Sequence, residues 1–280
     1  MSEFVFRCKT TDAYIFKIMT ELLHNIIKIA CFEITPSEIS LRMMDSNRRT
    51  LVDLSLKACN FNMYYLSPNY CENNVLNIGI NLNHLYRMLK SIKKRDQLIL
   101  FISEDRPHDL GIQITPKDFS RMTISYVKIQ NITNLPIALP ENYSNSILIS
   151  ASEFSKMCKD MFNMANTITV TARQYSIGFL CNVGSVYSRE VILGNTEDNK
   201  KDVFSRTTES IEETIHFQED FDTEQLSRII KISGLSNIMN IRCKQKMPLL
   251  LYSNVGILGP ISIYIKSKQQ LEDDTIQVDL

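Results

Sequence analysis

The residues of this sequence best suited to a chemical task are lysines and arginines spaced along amphipathic helices. The phrase Leu-x-Arg-apolar-apolar-Lys occurs at 85–90 and recurs at 226–231, half a chain length later in a chain of 280 residues. In each copy the two cations are three residues apart, so a helix presents them side by side, opposite its apolar stripe. The repeat predicts a duplicated module that displays positive charge.

Further cations occupy the polar faces of two other predicted helices, one from Asp12 to Ala30 and one that begins after Ser150. Lysine and arginine at this spacing neutralise phosphates without reading bases, and no aromatic residues interleave them as in single-strand binders. We therefore predict contact with duplex DNA, and the alternative is that these helix faces are simply solvated. The predicted DNA-binding residues are Lys17, His24, Lys28, Arg87, Lys90, Lys94, Lys156, Lys159, Arg228 and Lys231.

The overall composition is that of an ordinary globular protein. The 31 basic and 31 acidic residues cancel, so any electrostatic function must come from charge that is segregated on the surface. The chain is long enough for two modest domains. It has neither a signal-type N-terminus nor an 18-residue apolar stretch, so we expect a soluble intracellular protein.

Residues for catalysis or metal binding are sparse. The four histidines lie far apart, no carboxylate pair has metal-like spacing, and the eight glycines form no phosphate-binding loop. The seven cysteines are scattered without a CxxC pair, which indicates buried free thiols rather than zinc ligands or disulfides. We predict no enzymatic activity, no metal and no cofactor.

The order of predicted elements is the same in both halves of the chain. Each half reads as a helix, several strands, a second helix and more strands, which predicts an α+β fold of two duplicated domains, each with two helices packed on antiparallel sheets. In the first half the second helix is predicted over 82–93, and in the second half it follows an N-cap at Asp222. The predicted boundaries are 1–128 and 147–270 for the domains, 129–146 for a connecting loop and 271–280 for a flexible, frayed acidic tail.

Five segments resemble the sliding-clamp family of proliferating cell nuclear antigen (PCNA), and they occur in the family's order over nearly the whole chain. Met44-Asp-Ser-Asn and the residues up to Val52 resemble that family's "MDSSHVSLV", and Ala30–Ile34 resembles its "ACWDI". Gly79–Leu82 with Met88–Lys90, Glu153–Asp160 and Met247–Leu249 are similar to "GVNL…ILK", "EFARICRD" and "VPL". Each segment alone is a weak signal, but the ordered set identifies the chain as a member of the family.

The resemblance implies the DNA clamp fold and a ring of three subunits that encircles duplex DNA, holds a polymerase on its template and docks replication and repair proteins. The implied partners are duplex DNA, a DNA polymerase, a clamp loader and other proteins with PCNA-interacting peptides, in the nucleus or at a cytoplasmic viral replication site. It places the basic helix faces in the hole of the ring. It also implies that one subunit contributes Met122, Ile124 and Tyr126, and the next Tyr187, Val191 and Leu193, to the contact between subunits.

The resemblance further implies an apolar pocket beside the connecting loop for the anchor residues of partner peptides. The implied lining is Met44, Leu51, Leu135, Ile137, Leu139, Pro248 and Tyr264. Arg49 and Lys266 stand where the family has valine and alanine, so we expect a preference for more acidic peptides. Gln174 replaces a lysine that the family modifies, so we expect no such modification there.

These departures are typical of a divergent member, such as one from a large DNA virus or a protist. Two other readings stay open: a subunit of a heterotrimeric checkpoint-type clamp, and a monomeric processivity protein that holds DNA by charge alone.

Overall fold

The computed structural model of the chain describes residues 4–70, 74–132, 136–143, 146–194 and 215–278. The chain forms two compact units. The first comprises Met1–Ala138, Gly234–Ser236 and Ser253–Ser262, and the second comprises Leu139–Ser233, Asn237–Tyr252 and Ile263–Leu280. The first crossing from one unit to the other, between Ala138 and Leu139, therefore lies within the segment predicted as a connecting loop.

The first unit contains two helices and nine described strands. The helices are α1 (Ala13–Ile26) and α2 (Leu82–Leu89). The strands are β1 (Phe4–Thr10), β2 (Ile29–Ile34), β3 (Glu38–Met44), β4 (Thr50–Lys57), β5 (Met63–Leu66), β6 (Leu76–Asn81), β7 (Gln97–Ser103), β8 (Arg106–Thr115) and β9 (Thr123–Gln130). They are antiparallel neighbours in the order β4-β3-β2-β6-β9-β8-β7-β1-β5.

Helix α1 forms because its apolar residues recur at helical spacing and are buried, among them Phe16, Met19, Leu22 and Ile26. It ends four residues before the predicted limit, since Ile27 adopts an extended backbone and β2 begins two residues later. The apolar run from Ile26 to Ile34 continues the helical pattern in the sequence, and for that reason β2 was not predicted.

Helix α2 is held at its start by Asn81, whose side-chain oxygen accepts hydrogen bonds from the backbone amides of Asn83 and His84. It is shorter than predicted, ending at Leu89. Both helices pack on one face of the sheet, where Phe16 and Leu85 meet Phe6, Leu100 and Leu110 in a common core. The opposite face of the strands is free of these helices.

The second unit contains α3 (Ala151–Phe162), α4 (Thr223–Ser227) and α5 (Lys268–Val278). Two groups of strands accompany them. One group is β10 (Ile147–Ser150), β15 (Ile238–Arg242), β16 (Leu249–Asn254) and β17 (Pro260–Ile265), although the end of β16 and the start of β17 belong to the first unit. The other group is β11 (Thr167–Ala172), β12 (Ser176–Val183), β13 (Tyr187–Gly194) and β14 (Phe217–Asp222). The second group is antiparallel in the order β13-β12-β11-β14.

The second copy of the repeated phrase does not form a single α-helix, which corrects the prediction. Asp222 caps α4 as expected, but α4 ends at Ser227 and a 3-10 helix follows over Ile230–Gly234. The buried residues Leu226, Ile229 and Ile232 are spaced three apart, and the amides of the last two donate to the carbonyls of the residues three positions before them. Three-residue spacing is the period of a 3-10 helix, which explains the change of geometry.

The C-terminal segment also differs from the prediction, because α5 occupies most of the stretch expected to be a frayed tail. It lies beside β14, whose Asp220 amide donates to Gln269 Oε1 over 3.4 Å. Lys268 Nζ donates to the hydroxyl of Thr167, and Lys266 Nζ pairs with Asp274 at 2.5 Å.

Two strands of the second unit also differ from the sequence prediction. β14 begins at Phe217, where a strand over 213–217 was expected to end, and β10 was not predicted. The loop predicted over 195–208 lies outside the described residues.

The predicted free thiols are observed in the described residues. Cys8, Cys31, Cys158, Cys181 and Cys243 are buried and Cys59 is exposed, while Cys71 lies outside the described residues. Burial disfavours the thiolate and raises the pKa of Cys8 to about 12 and that of Cys243 to about 12. The five buried thiols fill space in the two cores, whereas the exposed Cys59 differs from the prediction of buried thiols.

Gly259 gives a test of the packing of the first unit. Its φ is 153°, and a Cβ at this position would overlap the backbone carbonyl oxygen of Ser55. We expect Gly259→Ala to lower the free energy of unfolding by about 3 kcal/mol, measured by urea denaturation, because neither backbone can yield cheaply. Gly184→Ala is the matched control, since φ there is 55° but no atom lies within 4 Å of the new Cβ. It should cost only about 1 kcal/mol, and equal losses would contradict the clash.

Candidate functional site

The basic face of the first unit is built by α1 and α2, which pack side by side. Lys28, Arg87, Lys90 and Lys94 are exposed on or next to these helices. An exposed cation on a short, capped helix can approach a phosphate without first losing a partner, and phosphate contacts of this kind need no base recognition. These four residues form what we call the first basic face.

Lys17 has a different position from the other cations. Its Nζ donates to the carbonyl oxygens of Lys90 over 2.8 Å and Ile92 over 3.1 Å. The ammonium therefore satisfies carbonyls at the end of α2, where the helix dipole is negative. His24 stacks on Tyr86 with ring centroids 5.4 Å apart. Both residues tie α1 to α2 and so position the basic face, and Lys17 also adds charge to it.

The second unit presents fewer uncompensated cations. On α3, Lys156 Nζ pairs with Glu153 Oε1 at 2.7 Å, and this carboxylate raises the pKa of the lysine. Arg228 pairs with Glu224 at 2.5 Å. Lys231 is half-buried in the 3-10 helix, and Lys159 is exposed in the last turn of α3. The Ser155 hydroxyl donates to the carbonyl of Ile230 over 2.8 Å and joins α3 to the segment that bears the arginine.

The spacing of Ser150 and Glu153 is that of a capping box, in which each side chain would bond the other's backbone amide, and only half of that arrangement is seen. Ser150 Oγ accepts from the amide of Glu153 over 3.4 Å, as a helix N-cap does. The Glu153 carboxylate turns instead to Lys156, one turn along the helix. The capping residue was predictable from the sequence, but the choice of the glutamate between two partners was not.

Five described strands have a side that is wholly or mostly without a paired strand: β5, β10, β13 and β14, which end their sheets, and β9. Two of them, β9 and β13, carry the residues predicted to join subunits. β9 pairs with β8 from Thr123, which lies opposite Ile114, to Lys128, which lies opposite Asp109. It meets β6 only at Ile129 and Gln130. β13 pairs with β12 along its whole length, and within the described residues it has no neighbour on its other side. An open strand edge is a template for pairing with another chain.

Apolar side chains accompany both open edges. On β9 and just before it, Met122, Ile124 and Tyr126 are exposed, with Ile124 at 43%. On β13, Tyr187 is exposed, whereas Val191 and Leu193 are half-buried. Tyr187 also donates its hydroxyl to the carbonyl of Met164 over 2.6 Å, which fixes this end of the strand against the end of α3.

The pocket residues predicted by resemblance lie in both units. In the first unit Met44 and Leu51 face each other across β3 and β4. Nearby, Arg42 pairs with Asp53 at 2.8 Å and donates to the carbonyl of Ile137 over 3.3 Å, so it holds the connecting segment against β3. Leu135 lies outside the described residues.

In the second unit the connecting segment is fixed by Tyr143, a residue to which no role was assigned from the sequence. Its hydroxyl donates to the carbonyl of Pro248 over 2.7 Å, and its ring lies 6.4 Å from that of Tyr264. Burial, together with Tyr264, raises the pKa of Tyr143. Tyr264 is only 6% exposed and Leu139 is half-buried, so Pro248 and Leu139 offer more surface than Tyr264 does. The position of Tyr143 three residues after Pro140, in the connecting loop, was the available signal.

The turn between β3 and β4 is organised by Asp45. Its Oδ1 accepts from the amides of Arg49 over 2.7 Å and Thr50 over 2.9 Å, and Arg48 adopts a φ of 54°. An aspartate that accepts from following amides is a standard way to close such a turn. The conformation brings Arg49 next to the strand that carries Leu51.

Comparison with protein-family models gives two matches that together cover most of the chain. Residues 5–135 match "Proliferating cell nuclear antigen, N-terminal domain", and residues 138–269 match "Proliferating cell nuclear antigen, C-terminal domain". The chain belongs to the PCNA family. The predicted family and the predicted α+β clamp fold of two duplicated domains are thereby confirmed.

Two relatives show how far this PCNA-family chain has diverged. The "Proliferating cell nuclear antigen" of Chaetomium thermophilum is 26% identical over 261 residues, which cover 92% of this chain and 95% of that protein. The "Probable DNA polymerase sliding clamp 1" of Paramecium bursaria Chlorella virus 1 is 21% identical over 265 residues, covering 93% and 96%. The similarity is low but extends over nearly the full length of each protein.

The described residues contain neither a cluster of metal ligands nor a membrane-spanning helix. No group of three or more histidine, cysteine or acidic side chains in this part of the chain is placed to hold a metal ion. Among the described helices, none has the length and apolar character needed to cross a bilayer.

Proposed function

We propose that this chain, a DNA sliding clamp of the PCNA family and a polymerase processivity factor, acts as a ring of three identical copies around duplex DNA. The observation that carries the proposal is the pair of open strand edges, β9 in one unit and β13 in the other, each lined by apolar side chains. Two different edges on one chain form a head-to-tail contact, and such contacts close into a ring when the rotation between copies allows it.

In this ring the contact between copies consists of Met122, Ile124 and Tyr126 of one subunit against Tyr187, Val191 and Leu193 of the next. Backbone pairing of the two edges adds main-chain hydrogen bonds to the burial of these side chains. Each copy would contribute two clamp domains, residues 1–128 and 147–270, joined by the connecting loop 129–146. Three copies would then place six similar domains around the hole.

The helices of each domain face the DNA in this proposal. The exposed cations Lys28, Arg87, Lys90, Lys94 and Lys159 are the main phosphate contacts. The remaining predicted DNA-binding residues add charge while they are held by neighbours: Lys17, His24, Lys156, Arg228 and Lys231. Retention then depends on ring closure, and the role is mechanical rather than catalytic.

Light scattering and DNA retention together test the ring. We expect a mass of about three times the 32.3 kDa of one chain. After loading, the clamp should remain on closed circular duplex and slide off the same DNA once it is cut. A single-chain mass with equal retention on both DNAs would indicate a monomeric factor, and a single-chain mass with no retention would indicate a subunit that needs different partners.

The partners we propose are a DNA polymerase, a clamp loader and other proteins that carry a short peptide with aromatic and aliphatic anchors. Met44, Leu51, Leu135, Ile137, Leu139, Pro248 and Tyr264 are the candidate contacts for those anchors. The proposed place of action is wherever this chain's DNA is replicated, in the nucleus or at a cytoplasmic viral site.

Arg49 provides a test of the peptide preference. We expect a partner peptide with two acidic flanking residues to bind more tightly than its amide counterpart, by about tenfold, because each charge-assisted contact contributes roughly 1 kcal/mol at a partly exposed site. Arg49→Val should remove most of that difference, and the exposed Arg95→Val should leave it unchanged. Fluorescence anisotropy measures the affinity of each variant for the two peptides. An unchanged preference for the acidic peptide in Arg49→Val would exclude this role for Arg49.

A further inference from the structure

Five side chains form a cluster on the sheet face of the first unit that lies opposite α1 and α2. Leu100 and Ile102, the neighbours of Phe101 on β7, point toward the helices and are buried, so the alternation of side chains along a strand places Phe101 on the other face. The cluster is Phe4, Arg7, Phe101, Arg106 and Tyr126. With Ser103, Asp105 and Gln113 it lines a cavity of about 260 Å³, which we call the outer pocket.

The outer pocket is built across four strands in register. Arg7 on β1 pairs with Phe101 on β7, Phe101 with Gly111 on β8, and Gly111 with Tyr126 on β9. A Cβ at Gly111 would overlap the Phe101 ring, so the glycine is what lets this ring lie over β8. Phe101 meets Tyr126 edge to face, with ring centroids 6.1 Å apart, and it meets Phe4 in the same way at 5.8 Å.

Both arginines of the pocket are stacked on rings. The guanidinium carbon of Arg7 lies 4.7 Å from the centroid of Phe4, and that of Arg106 lies 4.8 Å from the centroid of Tyr126. Stacking fixes the plane of each guanidinium and leaves its N–H groups directed outward in the plane. The cluster therefore presents two guanidinium groups of fixed orientation beside aromatic side chains.

The hydrogen bonding of Arg7 is incomplete. Its Nε is buried and has no acceptor in the described part of the chain. A buried donor without an acceptor costs about 1–3 kcal/mol, so a group of this kind indicates a site that is filled by something else. The described residues also provide no ion pair for Arg106, which is exposed at the rim.

We propose that the outer pocket binds an acidic side chain of a partner polypeptide, with an adjacent aromatic or aliphatic residue against Phe101. A carboxylate matches a guanidinium fork with two parallel hydrogen bonds. The pocket is small and mixed in character, as a site for one or two side chains should be.

Single-stranded nucleic acid fits the same cluster less well. A stacking platform needs free ring faces, whereas the guanidinium groups already cover a face of Phe4 and of Tyr126. Glu104 and Asp105 lie at the rim and would repel a chain of phosphates, but they tolerate a ligand with one negative group. The proposal goes beyond the clamp function and does not depend on it.

Anisotropy with the full chain tests the proposal with three fluorescein-labelled probes: the pentapeptide Gly-Phe-Glu-Phe-Gly, its glutamine counterpart Gly-Phe-Gln-Phe-Gly, and a short oligothymidylate. The variant is Arg106→Gln, because Arg106 is exposed; since it stacks on Tyr126, a residue of the proposed contact between copies, the solution mass of the variant is measured first. The matched control is Arg121→Gln, an exposed arginine outside the pocket. Melting temperature and solution mass should be unchanged in both variants.

We expect the glutamate peptide to bind at least about tenfold more tightly than the glutamine peptide, as charge-assisted pairing requires. Arg106→Gln should remove that difference and Arg121→Gln should keep it. Equal binding of the two peptides, or an unchanged difference in Arg106→Gln, would overturn the proposal. Binding of oligothymidylate in preference to the glutamate peptide would overturn it in favour of a nucleic-acid site.

Discussion

Ile124→Asp is expected to convert the assembled clamp into single chains. Ile124 is 43% exposed on the open edge of β9 and is a central residue of the proposed contact between copies. A carboxylate there would be buried in an apolar contact without a partner, at a cost of several kcal/mol at each of three contacts. Light scattering should give the mass of one chain, and stimulation of polymerase processivity should be lost.

Ile257→Asp is the matched control for this change. Ile257 is 68% exposed in the turn before β17 and belongs to neither β9 nor β13, so a charge there remains in water. We expect the mass of three chains and normal processivity. An assembly that survives Ile124→Asp would show that copies do not associate through β9, whereas dissociation of both variants would point to a general loss of folding, which circular dichroism would detect.

Reversal of two charges on the first basic face should sharply weaken the hold on DNA without opening the ring. Lys90→Glu with Lys94→Glu replaces two exposed cations just after α2 with anions. Loss of two phosphate contacts lowers the slope of log affinity against log salt by about 1.8, and the added repulsion weakens binding by at least about tenfold. Electrophoretic titration of the trimer with duplex DNA at several salt concentrations measures both effects.

Lys117→Glu with Arg121→Glu is the control pair. These cations are exposed in the turn between β8 and β9, so the change in net charge is the same but no helix face is altered. We expect binding and salt slope close to those of the unchanged protein. If the two double variants weaken DNA binding equally, net charge rather than the helix face governs the interaction.

The duplicated order of elements was predictable because both halves repeat the same alternation of apolar periods. The ends of helices were harder to predict. From Ile26 to Ile34 the apolar residues fit a helix and a buried strand equally well, and only pairing with β3 and β6 decides for the strand. In the second copy of the phrase, 3-10 geometry is favoured by burial of apolar residues spaced three apart: Leu226, Ile229 and Ile232. The spacing of the cations alone predicted an α-helix.

The basic faces followed from the sequence, but the individual state of each cation did not. Lys17 meets carbonyls 73 and 75 residues away, a contact that no local pattern contains. Arg228 and Lys156 have glutamates within one helical turn, so the spacing allowed both pairs, but it did not decide whether Glu153 would pair with Lys156 or cap α3. The outer pocket depends on the register of four strands, which a single sequence does not reveal.

Helix α5 has a consequence for how many neighbours this protein can take. In the described part of the chain the sheet that contains β13 has two outer strands, and α5 lies beside the other one, β14, whose Asp220 amide donates to Gln269. Only one side of that sheet is then left for addition of a strand from another copy. When another copy can add a strand only beside β13, this sheet cannot be extended in both directions into a fibre. The C-terminal helix thus limits how many copies can join through this sheet.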